Sequence, residues 1–136
     1  MDKDIIALFG EAEKGTFHTG TLLSNLMELE KTYGHPPPET KGLLFAVQTL
    51  LYRYKLLFFR VEEEGFHSDG YLRGFKRILE SDLAPNLLGL GIPGLSDQMV
   101  LDAAEPIMHR HHPVLILTEA DLYDLLSPGS SLRNWQ

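Results

Sequence analysis

The chain has 136 residues, 12 basic and 19 acidic, a net charge of −7 and no cysteine. That length suits one domain, and the lack of cysteine excludes a disulfide framework, a thiolate metal centre and a cysteine nucleophile. The acidic balance argues against a nucleic-acid binder, which needs a basic face, while a 43% hydrophobic content argues against a disordered chain.

Met1-Asp2-Lys3-Asp4 lacks the basic region of a signal peptide. No stretch approaches the roughly 20 apolar residues that span a bilayer, so a cytoplasmic location without a membrane partner is expected. Ile5 to Phe9 is a continuous apolar run closed by Gly10, the pattern of a strand buried on both faces. After the loop Gly10–Gly20, a helix is expected from Thr21 to Tyr33, with Leu22, Leu23, Leu26, Met27 and Leu29 on one side and Gly34 ending it. Pro38 and Glu39 suit the first turn of a second helix reaching Arg53, apolar over most of its circumference.

Leu56–Val61 is the second strand, and Glu62–Gly70 its loop. A helix follows to Ser81, with Tyr71, Phe75 and Ile78 facing inward. Asn86–Ile92 is a third strand, and Ser96 the N-cap of a helix that Pro106 ends or kinks. Pro113–Leu117 is the fourth strand, and Thr118 caps a last helix, Glu119–Leu126.

The order β-α-α-β-α-β-α-β-α predicts an α/β fold: a small open doubly wound, Rossmann-like sheet of about four mainly parallel strands, with helices on both faces. Residues 1–127 form the expected domain, and residues 128–136 a tail.

Ligands of open α/β sheets bind beyond the carboxyl ends of the strands, near the switch point. The loops there offer Gly10, Glu11, Lys14, Gly15, Thr16, Arg60, Glu62, Gly91, Gly94, Ser96 and Glu119 as candidate ligand-binding residues. Gly89-Leu90-Gly91-Ile92-Pro93-Gly94 matches the dinucleotide motif G-x-G-x-x-G by letter, followed by a helix and by an acidic residue, Glu119, at the next strand's end. Pro93 removes a donor that a phosphate needs, so a buried strand with close helix packing is the competing reading. In the first loop Lys14 precedes Gly15-Thr16, which is not a P-loop. Glycine backbone and a lysine at a helix start can still cradle an anion. This loop resembles the first βα loop of small Rossmann-like nucleotide-processing folds, which implies nucleotide contact.

Arg60 interrupts an apolar strand and is expected either to pair with Glu11 or Glu119 or to meet an anion. Glu62-Glu63-Glu64 is a solvated acidic turn, or a source of a general base or nucleophile. His109-Arg110-His111-His112 is expected to fan out in a surface turn without binding a metal. The expectation is a domain binding a nucleotide or another small anionic ligand at the sheet's carboxyl edge, with no catalytic residue and no cofactor assigned. Two alternatives stand beside it. One is an oligomeric, dimer-forming interaction protein, suggested by the second helix and by Tyr52, Tyr54 and Trp135; the other is a glutamate-dependent hydrolase or glycosyl-transfer enzyme.

Overall fold

A computed structural model describes residues 5–127. The expected tail, with Trp135, lies outside the described residues. The strands β1 (Ile5–Gly10), β2 (Thr21–Leu23), β3 (Lys55–Arg60), β4 (Leu87–Gly91) and β5 (Val114–Ile116) form one sheet in the order β2-β3-β1-β4-β5. The four expected strands are parallel to one another, and β2 adds an antiparallel edge beside β3. The fold is thus α/β and Rossmann-like, with five strands rather than four.

Strand alternation builds two cores. Ile6, Leu8, Leu56 and Phe58 face α1 (Leu26–Tyr33), α2 (Gly42–Leu51) and α6 (Glu119–Leu126). Ile5, Ala7, Phe9, Leu57 and Phe59 face α3 (Ser68–Glu80), α4 (Gln98–Ala103) and α5 (Glu105–His111). Helices therefore cover both faces, as the strand–helix alternation implied.

Four local expectations need correction. Thr21–Leu23 is a strand, not a helix start: Leu22 is exposed and Leu23 buried, a period of two. α1 begins only after Asn25, whose side chain accepts the Glu28 amide at 2.9 Å. α2 begins at Gly42 rather than Glu39, because Glu39 sits in the left-handed region (φ 64°) and Thr40 turns back on the Pro37 carbonyl at 2.7 Å. Asp97, not Ser96, caps α4, its carboxylate accepting the Met99 amide at 2.9 Å. His109 to His111 occupy the last turn of α5, where cations suit the negative end of the helix, and His112 (φ 52°) ends it.

Other expectations hold. Pro106 divides α4 from α5, Gly34 ends α1, and Thr118 caps α6 in a reciprocal capping box with Asp121. The Leu117 amide, more than any other group, holds the Asp121 carboxyl below its ordinary range; burial opposes it, and the Thr118 amide and hydroxyl reinforce it. Among the described residues, no helix is long and apolar enough to cross a membrane.

Candidate functional site

β1 leads through α2 to β3 on its one side, and the chain then returns through α3 to β4 on its other side. The switch point is therefore the gap beyond the carboxyl ends of β1 and β4. A cleft of about 620 Å³ opens there, within the range typical of small-molecule sites. Glu11 enters it from β1, Gly94 from β4, Glu63 and Glu64 from β3, and Leu117, Thr118 and Glu119 from β5. The segment leading into α2 supplies Pro38, Glu39, Thr40 and Lys41, with Phe45 below them.

Glu64 organises the floor. Its Oε2 accepts the amides of Glu11 (3.0 Å) and Gly42 (2.8 Å), and its Oε1 accepts the amide of Lys41 (2.8 Å). The Glu64 amide in turn donates to Glu11 Oε2 at 3.0 Å. The free amides of a helix N-terminus are a natural anion site, and at α2 a carboxylate of the chain itself occupies it. Two backbone contacts fix this geometry. A Cβ on Gly10 would lie 2.5 Å from the Gly42 Cα, so β1 and α2 meet backbone to backbone. A Cβ on Gly65 (φ 88°) would lie 2.0 Å from the Gly94 carbonyl oxygen, so the loops after β3 and β4 meet in the same way.

Of the residues expected at the site, Glu11, Gly94 and Glu119 line this cleft, and Gly10 lies against the start of α2. Lys14, Gly15 and Thr16 do not line it. Their loop leads to β2, and the Lys14 amide donates to the Tyr33 carbonyl at the end of α1. Arg60 meets neither Glu11 nor Glu119. Its guanidinium donates to the Gly15 carbonyl at 2.6 Å and lies 4.1 Å from the centre of the Phe17 ring. Gly91 is in β4, where a Cβ would meet Leu8, so the first two glycines of the G-x-G-x-x-G letters, Gly89 and Gly91, serve packing. Ser96 is exposed and lies outside the cleft. Sequence reasoning missed Glu39 and Lys41, and it offered Glu64 only within the acidic turn Glu62-Glu63-Glu64, as a solvated group or a general base or nucleophile, not as a cap on α2. The Pro36-Pro37-Pro38 run marked irregular backbone beside Glu39 and Lys41, but nothing in it marked the sheet's carboxyl edge.

Glu62 faces a second, smaller cleft of about 360 Å³, shared with His18, His67, Asp69, Gly70 and Arg73. The His18 ring bonds to Glu62 Oε1 through Nε2 at 3.0 Å, and His67 bonds to Glu63 at 3.1 Å. Burial alone would raise the Glu62 carboxyl. The His18 hydrogen bond, the residue's own backbone and the charges of His18 and His67 outweigh it, and the group sits below its ordinary range. No group of three or more His, Cys, Asp or Glu side chains that could hold a metal ion occurs among the described residues.

Tyr71 supports the main cleft from below. It is fully buried, and its hydroxyl oxygen accepts the Gly65 amide at 2.7 Å. Burial pushes its hydroxyl from 10.0 up to about 12; the Gly65 hydrogen bond opposes this, and the charges of Glu64 and Glu11 add to it. The folded state then keeps this proton after the unfolded chain has lost it. The contribution is intact below pH 10 and disappears as the pH rises toward 12, a change of about 3 kcal/mol at about 1.4 kcal/mol per pH unit. Urea denaturation between these limits is expected to show a flatter pH slope for Tyr71→Phe than for the parent. Equal slopes would contradict this assignment.

The chain matches no family model, no curated protein and no solved structure.

Proposed function

We propose that this domain binds a small polyhydroxylated heterocycle of the nucleoside type in the cleft beyond β1 and β4. The observation that carries this reading is the occupation of the α2 N-terminus by Glu64. With that anion site filled, and with Glu11, Glu39, Glu63 and Glu119 around the opening, a phosphate faces repulsion relieved only by Lys41. Carboxylates instead suit ribose hydroxyls and base amino groups as hydrogen-bond acceptors. Pro38, Phe45 and Leu117 give the cleft an apolar side suited to a flat ring.

The nucleotide expected from the sequence is thereby narrowed to its uncharged part. Isothermal titration with adenosine, guanosine, cytidine and their monophosphates tests this. At least one nucleoside is expected to bind, about tenfold or more tighter than its monophosphate, and to weaken on Glu119→Gln or Glu11→Gln. A monophosphate binding more tightly than its nucleoside, or no nucleoside binding at all, would overturn the reading. A homodimer is the second reading, favoured by Leu44, Leu51 and Tyr52, which stand exposed along and at the end of α2. It concerns assembly and is compatible with a ligand in the cleft.

A further inference from the structure

The smaller cleft is built with more constraint than a surface groove requires. His18 and His67 both hold left-handed backbone, with φ of 59° and 62°. Non-glycine residues adopt this region uncommonly, and such residues gather at functional sites. The His18 side chain is only 14% exposed. It fits because α3 carries glycine at position 70, where a Cβ would lie 2.7 Å from the imidazole Nε2. Glu62 accepts from that same nitrogen when it carries the proton, which leaves the lone pair on Nδ1. Loop backbone, a helix glycine and a carboxylate thus converge on one imidazole.

The charges beside it are of both signs and are uncommitted. Among the described residues, neither the Arg73 guanidinium nor the Asp69 carboxylate has a hydrogen-bond or ion-pair partner, and both line the cleft. A purely anionic ligand would face Glu62 and Asp69. A purely cationic one would face Arg73. A molecule with an ammonium group at one end and a carboxylate at the other meets an opposite charge at each. Guanidinium matches a carboxylate in a planar, two-bond fork, and Asp69 with Glu62 matches an ammonium. The volume, about 360 Å³, lies at the lower end of small-molecule sites.

We propose that the cleft between the β1–β2 loop and the start of α3 is a second binding site, for a small zwitterionic amino acid. Arg73 takes the carboxylate, Asp69 and Glu62 take the ammonium, and the His18 imidazole, oriented by Glu62, closes the site. This does not depend on the nucleoside reading of the larger cleft, since the two sites share no lining residue.

The test is nuclear magnetic resonance titration of the labelled full-length chain with glycine, β-alanine and L-glutamate, and with acetate and ethylamine as single-charge controls. The expected result is a saturable shift of the His18 ring signals with at least one amino acid, and binding weaker by about tenfold or more for both controls. Arg73→Gln, at an exposed position, is expected to abolish the response while leaving the remaining spectrum in place. His18→Asn, a residue that tolerates left-handed backbone, is expected to weaken binding when followed on the His67 and Gly70 signals. Three results would overturn the proposal: no shift up to roughly 10 mM amino acid, well beyond ordinary metabolite affinities; equal response to acetate or ethylamine; or unchanged binding by Arg73→Gln.

Discussion

Gly65→Ala is expected to lower stability by about 2–5 kcal/mol, combining about 1–2 for left-handed backbone at a residue with a Cβ and about 1–3 for overpacking. Gly65 has a φ of 88°, and its added Cβ would stand 2.0 Å from the Gly94 carbonyl oxygen. That neighbour is backbone, so relief requires the loops after β3 and β4 to part. Gly89→Ala is the control. There the Cβ meets the tips of Ile116 and Leu125 at 3.0 Å, both of which can turn aside, and Ile6 at an ordinary 3.6 Å. Its cost is expected near 1 kcal/mol. Urea denaturation of the two variants and the parent, at equal slopes, reads the difference directly. Against the roughly 5–15 kcal/mol that holds a typical domain together, the first change is severe and the second tolerable. If the two variants fell together, the backbone contact between these loops would not be what holds the cleft floor.

The sequence revealed the fold wherever one periodicity dominated. The runs at Ile5–Phe9 and Leu56–Phe59 are buried on both faces, the pattern of central parallel strands, and their shortness and flanking breaks favour strand over buried helix. Thr118 announced α6 because an N-cap is a local interaction, and the structure adds Asp121 as the other half of a capping box. The three residues of β2 were hidden because Leu22, Leu23 and Leu26 also fit a helical stripe, and only pairing with β3 decides between the periods. That one misreading bears on the first loop. Read as a helix from Thr21, this segment puts Lys14, Gly15 and Thr16 ahead of a helix start, where glycine backbone and a lysine can cradle an anion. The helix leading into β3 is α2, reached after the β2–α1 excursion, and the segment at its start presents Thr40 and Lys41 to the cleft. The contacts of Arg60 were hidden for a related reason. The excursion brings Gly15 and Phe17 over it, and no local pattern encodes a contact across that separation. The edge of the sheet was legible from strand order along the chain, whereas the residues lining it depended on which helix made the crossing.

Glu64→Ala is expected to destabilise the domain by about 2–4 kcal/mol, because three backbone amides, those of Glu11, Lys41 and Gly42, lose a charged acceptor together. Glu64→Gln should recover little of this. A carboxamide has one oxygen, and the carboxylate uses both, so its NH₂ group must oppose at least one of the same amides. Stability alone would not separate a helix cap from any other buried hydrogen bond, but anion binding does. Removing the Glu64 side chain leaves the α2 N-terminus without its anion, with the Lys41 ammonium close by. Inorganic phosphate should therefore stabilise Glu64→Ala and not the parent, with a rise in midpoint that follows the logarithm of phosphate concentration. In that variant a nucleoside monophosphate should also gain on its nucleoside, since the site of repulsion becomes a site of attraction. A parent chain already stabilised by phosphate would show that Glu64 yields its place readily, and the preference for an uncharged ligand would then lose its physical basis.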